Sequence, residues 1–168
     1  MEAKANCQLT LSEVMTPDKV NFSGHIHGGY LMLLLDKVAY ACAARFVSGN
    51  VVTLSADQIL FKKPIFVGEL VTCLAQVNYV GNTSLEIGVR VIAENLIKGE
   101  QRHTNTCYFT MVAVDEQGKP RKITQQLQLK TEVDRYRCEE AKLRKELRQK
   151  YYSQHTSDKE AIRARQGG

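Results

Sequence analysis

The chain has 168 residues, 43% of them hydrophobic and 24% charged, enough for one domain with a sizeable core. No apolar run reaches the roughly 18 uncharged residues of a membrane span, and Met1 to Asn6 lacks the apolar core of a signal peptide, so a cytoplasmic protein is expected. The net charge of +5 suits an anionic partner, and five scattered cysteines without a CxxC pair indicate neither a zinc site nor a disulfide framework.

Cys7 to Met15 reads as a first strand, with Leu9, Leu11 and Val14 among polar residues. Thr16-Pro17-Asp18 breaks it, and Lys19 to Ser23 leads into a Gly-rich turn, Gly24-His25-Ile26-His27-Gly28-Gly29. The turn opens a helix of about five turns that runs to Phe46. That helix is apolar on nearly every face and is therefore expected to be buried. One acid, Asp36, sits in its middle, where a carboxylate costs several kcal/mol unless something compensates it. Ser48-Gly49-Asn50 ends the helix, with the glycine suited to a left-handed cap.

Strands are expected over Val51 to Phe61, Leu70 to Val80, Thr83 to Ala93 and Arg102 to Val114. The third is the cleanest, with Leu85, Ile87, Val89 and Val91 pointing one way. Gly81-Asn82 makes a hairpin turn, and the segment around Pro64 is no regular central strand. The order is strand, helix, then four strands. A sheet covers only one side of such an apolar helix, so a partner subunit is expected on the other. Past Thr131 the chain turns rich in Glu, Lys and Arg. Asp134 to Tyr152 reads as an amphipathic, mostly exposed helix with Tyr136, Leu143, Leu147 and Tyr151 on one face, and Ser153 to Gly168 as a frayed end. Mixed charge without a recognition motif argues against nucleic-acid binding there.

Asn21-Phe22-Ser23-Gly24-His25-Ile26-His27-Gly28-Gly29, followed by Leu31-Met32 and Asp36, closely resembles the bacterial short-chain acyl-CoA thioesterases of the hotdog fold. It is also similar to each half of the brain-type acyl-CoA hydrolases. Phe61-Lys62-Lys63-Pro64, Val80-Gly81-Asn82-Thr83-Ser84, and Val112 to Asp115 with Gly118 to Arg121 agree. The resemblance implies an α+β fold: a single hotdog domain over residues 7–123, an antiparallel sheet wrapped around the central apolar helix. A charged helical extension follows over 124–168. It also implies acyl-CoA as substrate, no cofactor, and a homodimer assembled further as a trimer of dimers.

Thioester hydrolysis needs a polarised carbonyl, an activated water or nucleophile, and a hold on the coenzyme. Free N–H groups of Gly28 and Gly29 at the helix N-terminus suit a developing oxyanion. Asp36 suits a general base or a nucleophile. Eight residues of helix put about 12 Å between Gly28 and Asp36, so both act on one thioester only across a subunit interface. Asn21 can bond the water or the thioester oxygen, and the resemblance implies that it works with Asp36. His25 and His27 are too closely spaced for a metal site without a third ligand, so no metal is expected, and His27 lines the site mouth. Tyr40, one turn beyond Asp36, is placed to position it. Gly81, Ser84 and Arg121 are the candidate coenzyme A contacts, the last two from the resemblance. A non-catalytic acyl-CoA sensor and a hotdog hydratase or dehydratase are the alternatives.

Overall fold

A computed structural model describes residues 7–166, with side chains described for 7–156 and 159. The chain divides into two units, one ending at Gln128 and one beginning at Leu129. The first holds β1 (Gln8–Val14), a one-turn 3-10 helix (Pro17–Lys19), α1 (Gly28–Val47), β2 (Val51–Ala56), β3 (Leu70–Val80), β4 (Ser84–Asn95) and β5 (Glu100–Ala113). The second is α2 (Glu132–Gln166). Among the described residues no helix is long and apolar enough to cross a membrane.

The five strands form one antiparallel sheet in the order β1-β3-β4-β5-β2. β1 and β2 lie on opposite edges, so α1, which joins them, must cross the whole inner face. Period-2 alternation aims Val71, Cys73, Ala75 and Val77 of β3, Leu85, Ile87, Val89 and Val91 of β4, and Cys107, Phe109 and Met111 of β5 at that helix. Leu31, Leu34, Leu35, Val38, Ala39, Cys42 and Phe46 meet them from α1. Burial pushes the thiols of Cys42, Cys73 and Cys107 up to about 12, so these cysteines act as small apolar groups.

Four features bear on the expectations. First, the side of α1 that the sheet was expected to leave open is a stripe at helical spacing, with Leu33, Lys37 and Tyr40 exposed and Asp36 half-buried. Second, β2 ends at Ala56 rather than Phe61. The chain then drops toward α1, and the Phe61 ring comes to 3.7 Å from where a Cβ on Gly28 would sit. Third, the left-handed residue after α1 is Ser48 (φ 50, ψ 52), not Gly49. Gly49 packs against the Arg121 guanidinium, whose Nη2 lies 2.4 Å from where a Cβ would sit, so a side chain there would displace that arginine. Fourth, α2 starts at Glu132 and continues to Gln166, past the expected end at Tyr152 and through most of the stretch read as frayed. Thr131 and Asp134 cap its start reciprocally, side chain to backbone, at 3.0 and 3.1 Å. No Pro or Gly interrupts it before Gly167. Its Tyr136, Leu143, Leu147 and Tyr151 are exposed.

One glycine in the sheet has a measurable role. A Cβ on Gly88 would lie 2.5 Å from Asn78 Nδ2. Asn78 is buried and donates from that nitrogen to Glu86 Oε1 at 3.1 Å, so it cannot withdraw without losing the bond. Gly88→Ala is expected to destabilise the fold by about 1–3 kcal/mol, read as a lower urea midpoint with an unchanged slope.

Candidate active site

The loop before α1 is held by its own backbone and by two side chains. Asn21 Oδ1 accepts from the N–H groups of Ser23 (2.9 Å) and His25 (3.2 Å), and the Asn21 N–H donates to His25 O at 2.7 Å. This Asx turn occupies the side-chain oxygen, so Nδ2 is the atom left to face a ligand. His27 is the N-cap of α1. Its Nδ1 accepts from the Gly29 N–H at 2.9 Å, which places the ring proton on Nε2. Of the two glycine donors read from the sequence, Gly29 is therefore engaged by His27. The Gly28 N–H has no hydrogen-bond partner among the described residues, and it lies at the positive end of the α1 dipole beside the Phe61 ring.

Asp36 lies two turns further on, in the exposed stripe. Thr53 Oγ1 donates to Asp36 Oδ1 at 2.7 Å and also lies 3.6 Å from Met111 Sδ. A β-bulge shifts the β2–β5 register between Thr53 and Ser55, which sets Leu54 outward and leaves Thr53 facing α1. Sequence reading missed Thr53. In Val-Val-Thr-Leu-Ser a threonine is an ordinary strand residue. Tyr40, one turn from Asp36, is exposed on the same stripe. Leu33, on the preceding turn of α1, is also exposed.

Gly81, Ser84 and Arg121 gather at the other end of α1. Gly81 donates to Ser84 O at 2.7 Å, Ala113 to Thr83 O at 2.9 Å, Arg121 to Ala113 O and Ile123 to Asn82 O at 2.8 Å. Arg121 Nη2 and Gln125 Nε2 both donate to Val47 O, at 3.1 and 3.0 Å, and so satisfy the last turn of α1. Gly28 and Val47 are about 28 Å apart along the helix axis, so this cluster does not meet the His27–Gly29 end within one chain.

A further contact braces the 57–69 connection. Arg102 forms two 2.6 Å bonds to the Glu69 carboxylate and a third, at 2.7 Å, to Pro64 O. The Phe66 N–H donates to the same carboxylate at 2.9 Å, and the Phe66 ring packs edge-on to His25 at 5.2 Å. The Arg102 guanidinium is thus occupied by Glu69.

The thioesterase superfamily model matches residues 23–100. Protein VdlD of Helicobacter pylori is 50% identical over 145 residues, covering 86% of this chain and 82% of its own. A crystal structure of an apo-hexameric acyl-CoA thioesterase superposes with a TM-score of 0.82 at 35% identity, covering 86% of this chain and 92% of that one. Acyl-CoA hydrolase from Staphylococcus aureus, in complex with butyryl coenzyme A, coenzyme A and coenzyme A disulfide, has a TM-score of 0.82 at 26% identity, covering 92% and 94%. Alanine variants of that hydrolase at an asparagine, an aspartate and a threonine also superpose on this chain. The aspartate follows the asparagine by fifteen positions and precedes the threonine by seventeen, and Asn21, Asp36 and Thr53 repeat both spacings.

Proposed function

This chain belongs to the thioesterase superfamily, and from that premise we propose that it hydrolyses an acyl-CoA to the free carboxylic acid and coenzyme A. The observation that carries this reading is the Thr53–Asp36 hydrogen bond on the one exposed stripe of an otherwise buried helix. Thr53 holds Oδ1 and leaves Oδ2 to the reaction. Asp36 acts on the thioester carbonyl carbon as base, by taking a proton from the attacking water, or as nucleophile, by attacking directly. Charge developing on the carbonyl oxygen is met by the Gly28 N–H, a kind of donor worth about 3–4 kcal/mol in other enzymes. Asn21 Nδ2 is a further donor. Collapse of the tetrahedral intermediate breaks the C–S bond; on the nucleophilic route this leaves an acyl anhydride on Asp36, which a water then hydrolyses to the free acid and the regenerated carboxylate. Coenzyme A leaves as its thiolate, a far better leaving group than an alkoxide because thiols are much more acidic than alcohols (about 8.5 for a free cysteine).

Asp36 and Gly28 of one chain stand about 12 Å apart. One thioester therefore meets Asp36 of one subunit and the α1 N-terminus of another, in a homodimer or a trimer of dimers. The exposed stripe of α1 with Leu33 and Tyr40 is what such a subunit would cover. Gly81, Ser84 and Arg121 take the coenzyme A moiety, with Arg121 pairing its phosphates through the guanidinium nitrogens that do not cap α1. Tyr40 flanks Asp36, and His27 holds the loop at the site mouth. The reaction uses no metal or redox cofactor, and coenzyme A is part of substrate and product.

The test is free-thiol release from acyl-CoAs of increasing chain length. Release that depends on chain length is expected. Binding without release of any thiol would replace this reading with a non-catalytic acyl-CoA sensor, and water addition to an enoyl-CoA with the thioester intact would replace it with a hydratase.

A further inference from the structure

The loop from Val20 to Gly29 carries Asn21, the His27 cap and the Gly28 donor, and of its residues only Ile26 is buried in the core. Phe22, Ser23, Gly24 and His27 are exposed, and Gly24 takes a left-handed φ of +79. Positioning of a donor to within about 0.5 Å must come from elsewhere. The two stems of the loop meet at one atom. Lys19 Nζ, from the stem before the loop, donates to Glu13 Oε1. Tyr30 OH, from the first turn of α1 after it, donates to the same oxygen at 2.6 Å. Lys19 Nζ also lies 4.5 Å from the centroid of the Tyr30 ring. The backbone closes the same stems: the His27 N–H donates to Lys19 O at 2.8 Å, and Val20 and Ile26 form an isolated bridge.

We infer that Glu13 is a positioning residue: its Oε1, shared by Lys19 and Tyr30, holds the active-site loop in register with the first turn of α1. Glu13 touches no reacting atom in this scheme. The Lys19 side chain is only 11% exposed, so its ammonium needs that carboxylate. Hydrogen bonds from Lys19 and then Tyr30 hold the Glu13 carboxyl below its usual range, and burial and then Glu13 push the Tyr30 hydroxyl up. Both directions agree with a charged acceptor and a neutral phenol donor. This inference rests on the proposed use of the Gly28 N–H for the oxyanion.

Two measurements on the full-length oligomer test it. Steady-state thiol release is measured for wild type, Tyr30→Phe, Glu13→Gln, Lys19→Met and Lys19→Arg. Tyr30→Phe removes one oxygen and Lys19→Arg keeps the charge, so both are expected to fold. The expected result is a fall in kcat of about tenfold to a hundredfold in Tyr30→Phe, Glu13→Gln and Lys19→Met, with KM changed less than about twofold, and recovery in Lys19→Arg. Peptide-level hydrogen exchange is measured in parallel and is expected to accelerate over residues 20–30 in the same three variants. Accelerated exchange with unchanged kcat overturns the positioning role, and unchanged exchange overturns the clamp itself. A wild type that hydrolyses no acyl-CoA overturns the proposed function, and the exchange data then judge the clamp alone.

Discussion

Asp36→Ala is expected to lower thiol release by at least about a hundredfold, and by as much as 10⁴-fold, while the protein stays folded and oligomeric. Folding should survive because Asp36 is half-buried and bonds Thr53, whose hydroxyl keeps its contact with Met111 Sδ once the carboxylate is gone. Thr53→Val removes the donor and keeps the shape. A hydrogen bond to a charged group is worth about 1.5–3 kcal/mol, so its loss should lower kcat by roughly tenfold to a hundredfold. The double variant should be no slower than Asp36→Ala alone, because Thr53 acts through the carboxylate. Undiminished release by a folded Asp36→Ala oligomer would end the role assigned to that acid.

The largest expected loss of stability is in Arg102→Met. Glu69 is 4% exposed, and Arg102 supplies two of its hydrogen bonds. Without that guanidinium a buried carboxylate is left beside a single backbone donor, which costs about 3–5 kcal/mol. For a chain of this length the melting temperature should fall by roughly 6–20 °C. Replacing both partners, in Arg102→Met with Glu69→Leu, should recover much of the loss because no charge is then stranded. A single variant that melts with wild type would refute the argument. The pH dependence has a definite sign. Burial opposes ionisation of Glu69, but the bonds from Arg102 and from the Phe66 N–H outweigh it and hold the carboxyl below its usual range. A depressed carboxylate contributes stability above its unfolded pKa and loses it as the pH falls through the folded one. Wild type should therefore lose stability on acidification through that window, and the double variant should lose less. Because this pair braces the connection that sets Phe66 on His25 and Phe61 beside Gly28, Arg102→Met should also slow catalysis.

Much of the fold was legible before the structure because its signals are local. The alternation of Leu85, Ile87, Val89 and Val91 needs only a period of 2 to be read as a half-buried strand, and all four side chains are buried. The glycine pair before an apolar run marks a helix start wherever it occurs, and α1 begins at Gly28. Asp36 stood out because a carboxylate in an apolar helix is costly in any fold. The exposed stripe on α1 was less legible: beside Asp36 and Lys37 it carries Leu33 and Tyr40, which read as core residues, and only the reach of a five-stranded sheet decides which side stays uncovered.

By itself the sequence determined the element order, the inward face of β4, the start of the central helix and the acid that needs explaining, since each follows from neighbours a few positions apart. Tertiary structure alone decided the pairings. Thr53 reaches Asp36 because β2 closes the edge of the sheet beside α1 and a bulge faces it inward. Arg102 finds Glu69 across 33 positions, Arg121 reaches Val47 O at the last turn of α1 across 74, and Glu13 joins two stems separated by the whole active-site loop. The physical reason is the same in each case. A threonine, an arginine or a glutamate carries no local mark of its partner, and a hydrogen bond acts over about 3 Å, so these contacts exist only once the backbone has brought distant segments together.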